Sequence, residues 1–197
     1  MPYMDETLFV HMTNTGGTSV CKAMGMDLSK KDDDSMYDPY KKIQHWDMAR
    51  IHDYGIEYKQ AFTIVRDPVD RIKSSWFLKY HVWVNLSKQL KVHPMTFFVN
   101  KARMHTQTHA YHSSFASASF MLKGIEDSIR ILSFYHLQSD WEKMIDDWGL
   151  PWDRKLTHAR KSKSRGREKL SYGLKQELAD IYKNDYKMYQ KMGLSFA

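Results

Sequence analysis

The stretch from Tyr58 to Pro68 constrains the fold more than any other. An apolar run, Tyr58 to Val65, stops at Arg66 and is followed at once by Asp67-Pro68. The run is short, interrupted only by Lys59 and Gln60 near its start, and rich in β-branched and aromatic residues, so it reads as a buried strand. Asp-Pro opens a helix: the carboxylate accepts from the first-turn N–H groups, and the fixed φ of proline suits the first helical position. A strand that feeds directly into a helix returns to its sheet by a crossover, which calls for parallel strands. The same order occurs earlier, where the apolar run Thr7 to Met12 ends at a Gly-containing turn and a helix spans Thr18 to Met24.

The remaining punctuation extends this pattern. Asp38-Pro39 predicts a helix running to about Tyr54 with Gly55 as its stop, after a polar surface loop from Met26 to Tyr37. The Asp67-Pro68 helix carries Val69, Ile72, Trp76, Phe77 and Tyr80 at helical spacing, and Pro94 begins another through Phe97, Phe98 and Ala102. Phe120 to Leu122 and Ile129 to Tyr135 read as strands, Gln138 to Trp148 as a helix closed by Gly149 and Pro151, and Tyr172 to Met192 as one long amphipathic helix. Strands alternating with helices predict an α/β fold with a central, largely parallel sheet flanked by helices. With 197 residues, no internal repeat and no linker, the chain reads as a single domain, 1–197.

Composition narrows the function classes. A hydrophobic share of 42% and a charged share of 27% are those of a globular protein. No apolar run approaches the roughly 18 residues of a membrane span, so no membrane partner is expected. The N-terminal Met-Pro-Tyr-Met-Asp-Glu is acidic where a signal peptide is basic and then apolar, which predicts a cytoplasmic protein. Cys21 is the only cysteine, which excludes an intrachain disulfide and a cysteine-built zinc site; no metal is expected. The net charge of +7 is concentrated between Asp153 and Lys169, where eight basic residues face two acidic ones. Such a stretch attracts phosphates, sulfates, polyanions or nucleic acid, and equally serves as a solvated loop. It lacks interleaved aromatics and no recognised nucleic-acid module accompanies it, which argues against nucleic acid.

Two segments have the makings of phosphate grips. In Thr15-Gly16-Gly17-Thr18-Ser19 the glycines let the backbone bend round an anion, the first helical N–H groups point at it, and the hydroxyls add donors. An ordinary tight turn is the competing reading. A Walker-A loop needs a lysine that is not there, which weakens the case for an ATPase or kinase. In the second segment Arg66 sits at a strand end, where ligand crevices open in parallel sheets, and Ser74 lies two turns along the next helix. Arg66 can fork two oxygens of a phosphate while Ser74 donates a third contact. Arg71 reads as structural, paired with Asp67 or Asp70.

Together these segments resemble the carbohydrate sulfotransferase family that includes the heparan sulfate 2-O- and 6-O-sulfotransferases. Phe9-Val10-His11-Met12-Thr13-Asn14-Thr15-Gly16-Gly17-Thr18-Ser19 is similar to the family's 5′-phosphosulfate loop, apolar-His-Ile-Pro-Lys-Thr-Gly-Gly-Thr-Ser. It departs at Thr13, where the family has proline, and at Asn14, where it has lysine. Ala61 to Ser74 matches the family's 3′-phosphate motif, apolar-Val-Arg-[Asp/Asn]-Pro-x-x-Arg-x-x-Ser, at every defined position, and the first loop lies about fifty residues upstream in the right order. The resemblance covers most of the chain and is strongest over residues 8–20 and 60–78.

The resemblance implies a P-loop-like three-layer fold and 3′-phosphoadenosine 5′-phosphosulfate (PAPS) as co-substrate, held by Asn14, Thr15, Gly16, Gly17, Thr18, Ser19, Arg66 and Ser74. The family lysine contacts the sulfonate and the bridging oxygen. Asn14 can donate there but carries no charge, and a charged hydrogen bond is worth roughly 1.5–3 kcal/mol against about 1 for a neutral one. The family's base lies between the two grips, where Ile43-Gln44-His45-Trp46-Asp47-Met48-Ala49 makes His45 the candidate base and His52 the fallback; the near-neutral pKa of histidine suits the task. His11 reads as a supporting residue. His105-Thr106-Gln107-Thr108 resembles the family's His-x-x-Gln stretch near the acceptor. Leu156 to Arg165 resembles its nucleotide-covering loop, so Arg160 or Lys161 is expected to approach the phosphosulfate. Trp83 and Trp152 offer stacking faces or belong to the core. The expected partner is a hydroxylated acceptor, a carbohydrate or another small molecule. Two further readings stay open: a catalytically impaired PAPS-binding or PAP-binding protein of the same fold (PAP being the desulfated product), and a nucleic-acid-binding protein using residues 153–169.

Overall fold

A computed structural model of the chain describes residues 3–26, 47–78, 80–107, 115–157 and 170–196. These residues fall into two units, Met1–Arg66 with Met121–Lys161, and Asp67–Phe120 with Ser162–Ala197.

The first unit is built on a four-stranded sheet in the order β1-β2-β3-β4: Tyr3–Met4, Thr7–Val10, Gln60–Val65 and Arg130–Ser133. β1 runs antiparallel to β2, a short edge that the sequence does not announce; β2, β3 and β4 are parallel. The register pairs Phe9 with Phe62 and Ile64 with Leu132. Every residue of β2 and all but the first of β3 are buried, as expected of parallel strands covered on both faces. Phe9 and Phe62 stack at 4.7 Å on one face, where they meet α1 (Gly17–Ala23) and α7 (Leu137–Trp148) through Val20, Cys21, Trp141 and Met144. Trp152 closes this core, stacking on Trp141 at 5.6 Å and donating its indole N–H to Asp5 at 2.8 Å. Gly149 ends α7 at φ 62, a left-handed cap at the stop predicted there.

Helix α2 is Met48–Asp53, capped by Asp47, whose backbone is extended (φ −83, ψ 169) and whose carboxylate accepts from Arg50 N at 3.2 Å. The uninterrupted helix expected up to Tyr54 therefore does not pass through Asp47; its start at Asp38 and the loop before it lie outside the described residues.

The second unit is helical: α3 (Pro68–Leu78), α4 (Tyr80–Gln89), α5 (Pro94–His105), α8 (Tyr172–Ile181) and α9 (Lys183–Lys191), with most of the short α6 (Ala118–Met121). Its core gathers Ile72, Trp76, Trp83, Phe98, Phe115 and Leu178. Two expectations change here. Phe120 to Leu122 is not a strand, because α6 occupies Ala118–Met121 and its first N–H groups are held by a distant carboxylate: Asp185 accepts from Ala118 N at 2.9 Å and Ser119 N at 2.8 Å. The single helix expected over Tyr172–Met192 is two, since buried Tyr182 leaves helical geometry (φ −101, ψ 19) and donates its hydroxyl to Phe115 O at 2.8 Å. Among the described residues no helix is long and apolar enough to cross a membrane.

Candidate functional site

The three parallel strands of the first unit end on the same side, and the segments after them converge. Beyond β2 the chain turns through His11–Gly16 into α1; beyond β3 comes Arg66; beyond β4 comes a 3-10 turn, Phe134–His136. Arg66 ties them together. Its Nη1 donates to Asn14 O at 3.1 Å, and its guanidinium carbon lies 4.3 Å from the Phe134 ring centre. Its Nε is buried with no hydrogen-bond partner among the described residues. A cation held on a ring face beside a backbone turn can receive an anion, since the planar guanidinium fork still offers donors to phosphate oxygens.

The turn's shape is dictated by two close approaches. Gly16 takes φ 87 at the position before α1, and a Cβ there would come within 3.0 Å of Leu137 Cδ2. At Gly17 a Cβ would fall 1.9 Å from His11 Nε2, so only glycine fits while the imidazole is in place. His11 is buried and stacks on Phe9 at 5.1 Å, which makes it the floor of the turn and gives a concrete form to its supporting role. Thr15 is fully buried and its hydroxyl donates to Met12 O at 2.7 Å, holding the turn closed. Thr18 and Ser19 are half-buried in the first turn of α1, and Ser19 N donates to Gly16 O at 2.9 Å. Asn14 occupies the left-handed region (φ 61), which asparagine tolerates better than most side chains. Burial pushes the Cys21 thiol up to about 12, so it is a neutral core residue beneath the turn.

Ser74, expected to share the second grip, is half-buried on α3 in the second unit, whereas Arg66 closes the first. His52 is exposed on α2. His105 ends α5 and stacks on Phe115 at 6.4 Å. Trp83 and Trp152 are 8% and 7% exposed and belong to their cores. His45, Arg160 and Lys161 lie outside the described residues. The start of the basic stretch is anchored on α7: Gln138 accepts from Leu156 N at 3.0 Å and donates to Arg154 O at 2.8 Å, while the Arg154 guanidinium pairs with Asp146.

Arg71 is structural, but with other partners than the two aspartates expected. It is 1% exposed, donates to Ala116 O at 2.8 Å and lies 5.5 Å from the Tyr182 ring centre. Asp67 instead accepts from Asp70 N and from the Tyr186 hydroxyl, both at 2.8 Å. Phe134 is the site residue that sequence motifs did not single out. The only sequence cue is positional: it comes directly after β4, as Arg66 comes directly after β3. Among the described residues no group of three or more His, Cys, Asp or Glu side chains could hold a metal ion. Comparisons with protein-family models, with curated proteins and with solved structures return no match.

Proposed function

We propose that this chain is a sulfotransferase of P-loop-like, three-layer architecture that moves a sulfuryl group from PAPS to a hydroxyl of a carbohydrate or other small acceptor. One observation carries the reading: Arg66 and the turn leading into Gly16-Gly17, which the sequence marks separately as phosphate grips, are joined at the carboxyl ends of adjacent parallel strands by the Arg66 bond to the Asn14 backbone carbonyl. That edge is where ligands bind in open α/β sheets.

The chemistry asks little of covalent catalysis. The acceptor oxygen attacks sulfur, the bond from sulfur to the bridging oxygen breaks, and charge accumulates on the departing phosphate. The turn's backbone N–H groups and Arg66 supply fixed positive potential for the donor's phosphates. His45 is the residue assigned to take the acceptor proton. Thr15 contributes to the shape of the turn through its bond to Met12.

A second reading, a PAP-binding protein with impaired transfer, is favoured by Asn14. It offers its carbonyl to Arg66 and carries no cation of its own. Titration calorimetry with PAP tests both readings: saturable binding is expected, and its absence rejects them together. Turnover of labelled PAPS with a panel of hydroxylated glycans then separates enzyme from impaired binder.

A further inference from the structure

The interior of the second unit holds polar atoms that its own side chains leave unsatisfied. Arg71 is 1% exposed, and of its three nitrogens only Nη2 has a hydrogen-bond partner, Ala116 O at 2.8 Å. Its Nε and Nη1 are buried with no such partner among the described residues, and the same holds for the Tyr189 hydroxyl. Asp185 is fully buried one turn before Tyr189 on α9, and so on the same side of that helix. Its Oδ1 accepts from Ser119 N and from the Ser119 hydroxyl, both at 2.8 Å, but its Oδ2 accepts only from Ala118 N, at 2.9 Å. A carboxylate oxygen has room for two donors, so Oδ2 keeps one acceptor position spare. These groups share one surrounding. The Arg71 charge acts on Asp185, and both charges act on the Tyr189 phenol, which burial foremost holds well above its ordinary 10.0.

Buried donors forfeit their solvation, and protein interiors nearly always return it as a hydrogen bond. What completes this set must accept from Arg71 and donate to Asp185. A halide cannot donate, and a metal cation is repelled by the guanidinium. Arg71 and Asp185 also balance each other, which leaves no net charge for an ion to offset. Water meets the requirement, since internal waters make about three hydrogen bonds and both give and take protons. We propose that Arg71, Asp185 and Tyr189 enclose a site for internal water whose hydrogen bonds join α3 to α9. Such water links Arg71 to Asp185 where the two side chains make no hydrogen bond of their own.

A crystal structure of the full chain tests this directly. Solvent density is expected within about 3.2 Å of Arg71 Nε or Nη1 and of Asp185 Oδ2 or the Tyr189 hydroxyl. Tyr189→Phe supplies an independent sign. A hydroxyl bonded to water stabilises the fold, so its removal is expected to lower the folding equilibrium constant about fivefold in urea unfolding. A hydroxyl with no partner is better removed, and the variant would then gain stability. If the variant does not fold, the density alone decides. Absence of solvent density at the site, a direct bond from Arg71 to Asp185 in its place, or a Tyr189→Phe chain as stable as wild type or more so would overturn the proposal. So would an anomalous peak there in crystals grown with bromide, which assigns the site to a halide.

Discussion

Arg66 and Arg71 stand five positions apart in one motif and do opposite work. Arg66 is half-buried at the end of β3, with one nitrogen on the Asn14 carbonyl and its flat face on Phe134. Arg71 is sealed inside the second unit, on the Ala116 carbonyl and beside the Tyr182 ring. Its charge acts on Asp185, a carboxyl that burial pushes up and that the Arg71 charge pulls back down. Two identical side chains therefore divide into the proposed anion grip and a brace. What separates them is access: a charge inside protein is kept for the groups it already touches, whereas one at a strand end retains capacity for a ligand.

The sharpest way to break this comparison is Arg71→Ala. It strands Asp185 in the interior without its neighbouring cation, and a loss of about 3–5 kcal/mol is expected in urea unfolding. Arg66→Ala should cost the fold only about 1 kcal/mol yet weaken PAP binding about a hundredfold by calorimetry, two charge-assisted bonds being at stake. If Arg71→Ala folded well and lost PAP binding while Arg66→Ala unfolded, the two roles would have to be exchanged. The smallest effect belongs to Tyr186→Phe, which removes the hydroxyl that Asp67 accepts in place of Arg71. About 1 kcal/mol is expected at neutral pH. Burial and then Asp67 hold that phenol above its ordinary 10.0, so its contribution is complete below pH 10.0 and lost as the pH rises through the raised value. The alkaline fall in stability of Tyr186→Phe should accordingly be shallower than that of wild type.

How much of this could be read from the residues depended on distance along the chain. β2, β3, the helix starts at Pro68 and Pro94 and the stop at Gly149 are written in neighbouring residues, and the structure has them there. The convergence of the turn with Arg66 results from two strand–turn–helix units placed side by side in a parallel pair. The misread elements are those set by remote partners. The run Phe120-Met121-Leu122 is apolar enough for either a strand or a helix. The Asp185 carboxylate that fixes the start of α6 arrives from 67 and 66 residues away. The break at Tyr182 is likewise held by a hydroxyl bond spanning 67 positions. Asp67 and Asp70 are the nearest acids to Arg71 in sequence, but Asp67 is taken by Tyr186 from 119 residues downstream. Phe134 escaped notice because an aromatic after a strand has no local signature of its role.

The imidazole beneath Gly17 has a consequence for how the turn can fail. Any side chain at that position must drive His11 downward, and His11 rests on Phe9, which rests on Phe62. The turn is thus the end of a column of rings that runs along one face of the sheet, and its stiffness is borrowed from the interior. Damage to the middle of that column would blunt the turn from a distance, with none of the turn's own residues altered. Heritable variation in this protein should therefore treat positions 9, 11, 17 and 62 as one locus.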